Sequence, residues 1–120
     1  MEVATKVTNI GEMVPAFKDD GLLILFGPTA TNELKPISVM HEFETEVPKD
    51  VLKVGTTIEM GNNTYSIKTV GSAANANFEE LGHISIYFNS DPESILPGAI
   101  LAGPNEFPEI NEGDVIKFIN

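Results

Sequence analysis

Apolar and polar residues alternate along much of this chain, and the alternation breaks at glycine, proline and asparagine. This is the pattern of short, half-buried strands separated by turns. Val3-Ala4-Thr5-Lys6-Val7-Thr8-Asn9-Ile10 alternates and stops at Gly11. Gly21-Leu22-Leu23-Ile24-Leu25-Phe26-Gly27 is a continuous apolar run between glycines, short enough for a fully buried strand. Pro36 opens a further run through Val47. Thr56 to Met60 and Thr64 to Val70 flank Gly61-Asn62-Asn63, which reads as a hairpin with a short turn. Further strands are predicted from His83 to Phe88, Ala99 to Ala102 and Asp114 to Ile119. One helix is predicted over residues 73–81, with Ser72 as N-cap and Gly82 at the C′ position. Residues 12–19 carry a weaker helical pattern, interrupted by Pro15. Loops rich in Pro and Gly occupy residues 91–98 and 103–113. Val54 to Met60 echoes Glu112 to Phe118, which is recurring hairpin chemistry more than duplication. The expected class is mainly all-β: a closed or nearly closed antiparallel β-barrel with one short helix.

At 120 residues the chain is expected to form a single domain, residues 1–120. Its 18 acidic residues stand against 7 lysines, giving a formal charge of −11 with no arginine. Nucleic acid and anionic membrane surfaces are therefore disfavoured as partners. A protein partner with a basic docking face is favoured. The absence of cysteine excludes a disulfide scaffold, a zinc ribbon and thiol catalysis, and fits a reducing compartment. No signal peptide is visible at Met1-Glu2-Val3-Ala4-Thr5-Lys6, and no apolar run reaches the roughly 20 residues of a membrane span.

Few groups remain that could do covalent chemistry, and two of them are histidines. Parity along the third strand sets Ile37, Val39, His41, Phe43, Thr45 and Val47 on one face. Ser38, Met40, Glu42, Glu44 and Glu46 fall on the other. His41 reads either as a core or boundary histidine satisfied by a hydrogen bond, or as a nucleophile in an apolar rim. In the second reading burial depresses its pKa and keeps the ring neutral and nucleophilic. A metal site built on His41 and the three glutamates is disfavoured, because the carboxylates point away from the imidazole. His83 reads either as a helix-terminal residue meeting the last carbonyls or as a partner that orients His41 or contacts a phosphoryl group. Gly71-Ser72 forms a strand-to-helix junction, which is an ordinary cap or an anion site built from backbone N–H groups. No Walker-type loop, serine triad or paired catalytic carboxylates are found.

Thr69-Val70-Gly71-Ser72-Ala73-Ala74, leading to Leu81-Gly82-His83-Ile84, resembles a known family. So do Pro97-Gly98-Ala99 with Ala102-Gly103-Pro104, and the ending Gly113-Asp114-Val115-Ile116-Lys117-Phe118. The family is the glucitol/sorbitol-specific IIA component of the bacterial phosphoenolpyruvate-dependent sugar phosphotransferase system, and the resemblance runs along essentially the whole chain. It implies a small closed Greek-key barrel, with Val39-Met40-His41 where the family carries its phosphorylated histidine. Relatives have a second histidine or a cysteine close after that residue; here Glu42 and Phe43 follow. The implied activity is a phosphocarrier in the cytoplasm, without cofactor or metal. A histidine phosphocarrier protein loads His41, and a IIB component of the sugar transporter takes the group on a cysteine. With no cysteine and no membrane span, the chain cannot itself be IIB or IIC. His83, Gly71 and Ser72 are second-rank site residues, and the fold leaves room for hairpin exchange between two protomers. Two rivals remain open: a non-catalytic barrel that binds a sugar or protein, and a degenerate paralogue that docks partners without transferring phosphate.

Overall fold

The structure, a computed structural model, describes residues 2–47, 49–88 and 95–120 of the chain. Its strands are β1 (Glu2–Ile10), β2 (Leu22–Phe26), β3 (Val39–Phe43) and β4 (Thr57–Met60). They continue with β5 (Asn63–Val70), β6 (Ile84–Tyr87), β7 (Ala99–Gly103) and β8 (Val115–Ile119). The one α-helix among the described residues, α1 (Ala74–Leu81), lies between β5 and β6.

The strands close into a barrel in the order β1-β3-β2-β6-β7-β5-β4-β8. Alternation supplies the interior: Val3 and Val7 of β1, Ile58 and Met60 of β4, Tyr65 and Ile67 of β5 are all buried. The β4–β5 hairpin turns through Gly61-Asn62, with Met60 opposite Asn63, and Gly61 has φ +57. That is the left-handed backbone such two-residue turns require.

The barrel is mixed. Six neighbouring pairs are antiparallel, but β2 pairs with β3 and β6 with β7 in parallel. Parallel neighbours need a crossover of about a dozen residues, and residues 27–38 provide it for the first pair. Part of that crossover is a 3₁₀ turn at Lys35–Ile37, so the third strand begins at Val39 and ends at Phe43, shorter than its alternating run. A second 3₁₀ turn, Val14–Phe17, takes the place of a helix at residues 12–19, with Pro15 in its first turn. Within the loop expected over 91–98, residues 91–94 lie outside the described residues.

Ser72 does not cap α1. The N-cap position is Ala73, with no side-chain cap bond. The first amides are satisfied by the backbone instead: Ala73 N–H bonds Pro97 O at 2.8 Å and Ala74 N–H bonds Gly71 O at 3.2 Å. At its other end α1 stops at Gly82, as expected, in the left-handed conformation with φ +66. The helix presents Ala74 and Phe78 to the barrel core.

Candidate functional site

β3 alternates as its parity requires. Val39 and His41 are buried, Phe43 is half-buried on the same face, and Glu42 is exposed. Glu44 and Glu46 are exposed too. Among the described residues no three His, Cys, Asp or Glu side chains gather in a metal-like group.

The β1–β3 register sets Val7 opposite His41 and Thr5 opposite Phe43. Thr5 is thus the diagonal inward neighbour of His41, within reach across the ladder. Its hydroxyl lies 2.5 Å from His41 Nδ1. On the other side of the ring, Nε2 lies 2.6 Å from the carbonyl oxygen of Gly82. A carbonyl only accepts, so Nε2 carries the hydrogen and donates it. Nδ1 is then an acceptor, and the Thr5 hydroxyl donates to it. For the neutral ring the Gly82 carbonyl thus fixes the tautomer, and the Thr5 hydroxyl complements it.

Gly82 reaches this position because it ends α1 in a left-handed turn. The turn is held by Gly82 N–H to Phe78 O at 3.0 Å and by Gly27 N–H to Leu81 O at 3.0 Å. A Cβ on Gly82 would lie 3.2 Å from His41 Nε2 and 3.1 Å from Gly27 Cα. Glycine is needed at this position both for its φ and for its closeness to the imidazole.

Aromatic rings surround the imidazole. Phe43 meets it edge-on at 5.2 Å, Phe78 stacks at 6.3 Å, and Phe78 in turn contacts Phe118 at 4.9 Å. His41 itself is 1% exposed. Burial pushes its pKa below the ordinary histidine value, and the bond to the Gly82 carbonyl opposes the shift only in part. His41 is thus both a core histidine with two satisfied nitrogens and a neutral imidazole in an apolar setting.

His83 stands next to Gly82 in sequence but bonds elsewhere. Its Nδ1–H donates to Leu25 O at 3.2 Å, and its ring packs on Phe26 at 4.6 Å. It therefore ties the end of β2, and no hydrogen bond joins the two imidazoles. Among the described residues Nε2 of His83 has no hydrogen-bond partner and no buried polar side-chain atom lacks one, so that nitrogen reaches solvent. Gly71 and Ser72 are not brought to this place. They precede α1, whose eight residues span about 12 Å, while His41 sits at its far end. Gly71 N–H is bonded to Ala99 O at 2.8 Å, and the Leu96 and Pro97 carbonyls fill the space beside its Cα. Thr5 was not singled out from the sequence. Its signal is its parity, a polar residue between Val3 and Val7 on the buried face of β1.

The family model for the PTS system glucitol/sorbitol-specific IIA component matches residues 2–117. The chain belongs to this family. The PTS system glucitol/sorbitol-specific EIIA components of Shigella flexneri and Escherichia coli K12 are similar to it. Each is 33% identical over 115 residues, covering 95% of this chain and 91% of the relative. A crystal structure of a PTS system IIA component from Enterococcus faecalis V583 superposes with a TM-score of 0.87 at 29% identity, covering 98% of this chain and 99% of that one. Thr5, His41 and Gly82 all fall inside the span matched by the glucitol/sorbitol-specific IIA family. No helix among the described residues is long and apolar enough to cross a membrane.

Proposed function

We propose that the chain is the phosphoryl carrier of a glucitol/sorbitol-type phosphotransferase system, with His41 holding the phosphoryl group in transit. A phosphorylated histidine phosphocarrier protein donates the group, and a cysteine of the IIB component receives it. The work is done in the cytoplasm. The acidic surface, −11 overall, suits docking to basic faces on both partners.

The observation that carries this reading is the state of His41: neutral, of one tautomer, and enclosed by Phe43 and Phe78. A neutral imidazole is the nucleophilic form. A dry apolar enclosure keeps water from the phosphorus–nitrogen bond. The Nδ1 side faces fully buried Thr5, whereas the Nε2 side faces the Gly82 turn, flanked by exposed Leu81 and half-exposed His83. Transfer takes place at Nε2, with the Gly82 carbonyl moved aside by the docked partner.

One observation favours a second reading, in which His83 accepts the group. The Leu25 carbonyl holds its hydrogen on Nδ1, which leaves a lone pair on solvent-reachable Nε2. Intact-mass spectrometry separates the two. Wild type, His41→Gln and His83→Ala are incubated with phosphoenolpyruvate, enzyme I and the histidine phosphocarrier protein. We expect one acid-labile phosphoryl group on wild type and His83→Ala and none on folded His41→Gln. The reverse pattern moves the acceptor to His83. No group on wild type, with the upstream carrier shown to be loaded, sinks the phosphocarrier function.

A further inference from the structure

We propose that Thr5 is a positioning residue for phosphoryl transfer, its hydroxyl reversing from donor to acceptor as the proton of His41 moves from Nε2 to Nδ1. This rests on the reading of His41 as the acceptor and adds a residue to it.

The two groups that hold the ring differ in kind. The Gly82 carbonyl only accepts, so it supports one tautomer. The Thr5 hydroxyl both donates and accepts, so it supports either. At rest Nε2–H points to Gly82 and Nδ1 accepts from Thr5. For Nε2 to attack phosphorus it must present a lone pair, and the ring's one hydrogen must then sit on Nδ1. Thr5 Oγ1, at 2.5 Å from Nδ1, is placed to accept that hydrogen after a rotation of its own O–H. Thr5 is 0% exposed, so water does not substitute for it.

Water is the one further reactant: with the Gly82 turn opened by the docked partner, water takes the proton from Nε2, and the ring regains one at Nδ1 before the lone pair attacks. The Nε2 lone pair of His41 forms the new N–P bond. The P–N bond to the phosphocarrier's protonated phosphoimidazole breaks, and its electron pair leaves with that ring as a neutral imidazole. His41 becomes the phosphoimidazolium, with its Nδ1–H donated to Thr5. A charge-assisted bond is stronger than a neutral one, so the hydroxyl favours the loaded ring over the empty one.

The test compares Thr5→Val, which keeps the shape and removes the hydroxyl, with Thr5→Ser, which keeps the hydroxyl. Both are checked for folding by circular dichroism and followed by time-resolved intact mass in the same phosphorylation mixture. We expect Thr5→Val to load roughly ten- to a hundredfold more slowly, the value of one charge-assisted hydrogen bond. Thr5→Ser should stay within about threefold of wild type. Nitrogen-15 spectra of the His41 ring in wild type should show hydrogen on Nε2 before loading and on Nδ1 after it. That measurement needs no variant to fold, and a loaded ring without hydrogen on Nδ1 overturns the proposal. So does Thr5→Val at the wild-type rate while His41→Gln accepts nothing, and this result leaves the phosphocarrier reading intact. Thr5→Ser as slow as Thr5→Val reduces Thr5 to packing and overturns it too. A His41→Gln variant that loads like wild type removes the underlying assignment, and the proposal with it.

Discussion

Replacing Gly82 by alanine perturbs the backbone and the imidazole together. The new methyl group would sit on a residue with φ +66 and ψ 17. Left-handed backbone costs an L-residue about 1–2 kcal/mol. The same methyl meets Gly27 Cα at 3.1 Å and His41 Nε2 at 3.2 Å, so the short Nε2–H bond to the Gly82 carbonyl must lengthen or break. Losing that bond adds about 1 kcal/mol. The expected destabilisation is therefore about 2–3 kcal/mol, or roughly 8–12 °C in Tm for a chain of this length. Gly55 provides the reference: its φ is +96, but nothing lies within 4 Å of a Cβ added there. Gly55→Ala should cost the backbone strain alone, about 1–2 kcal/mol. Urea and thermal unfolding give the two costs, and nitrogen-15 spectra of the His41 ring report whether the imidazole moved. The reasoning fails if Gly82→Ala is no worse than Gly55→Ala and leaves the His41 spectrum unchanged.

Three further outcomes are expected. The folded pKa of His41 lies below its unfolded value, so the unfolded chain binds more protons at low pH. Stability contributed by the neutral ring is then fully present above pH ~6.5 and declines as pH falls below it, by up to about 1.4 kcal/mol per unit. Unfolding curves at pH 7.5 and 5.5 should show this loss in wild type beyond whatever His41→Gln shows; equal losses refute it. Asn75→Ala removes two backbone bonds to Leu52, its N–H at 2.9 Å and its C=O at 2.9 Å, and should cost about 1–3 kcal/mol in urea unfolding. Ser72→Ala should change stability by less than about 0.5 kcal/mol, because the hydroxyl caps nothing; a loss of a full capping energy, about 1 kcal/mol, would show that it does.

Much of the barrel was legible because its information is local. Alternation along residues 3–10 and 39–43 marks the inward residues, and parity alone put His41 beside Val39 and Phe43 and turned Glu42 away. Gly82 was legible as a helix terminator, since αL backbone leaves a plain sequence mark. Its second duty, an acceptor for an imidazole 41 positions earlier, depends on how α1 lands on β3 and leaves no local trace. The same holds for Thr5, 36 positions from its partner. The parallel neighbours were missed because pairing direction is set by crossovers such as residues 27–38 rather than by residue preference. Ser72 misled because a capping residue type helps only where the first amides lack other acceptors. Here the Pro97 and Gly71 carbonyls already serve them.

β8 pairs with β1 on one side and β4 on the other. It is the last of the described strands and the one that turns a curved sheet into a closed ring. Thr5, His41 and Gly82 all precede it, so a growing chain holds every piece of the imidazole's setting before the ring can shut. Until β8 arrives, β1 and β4 are two open edges whose unpaired N–H and C=O groups invite strands from other chains. For this protein the danger of sticking to its neighbours therefore lasts until residue 119, where β8 ends, has been made.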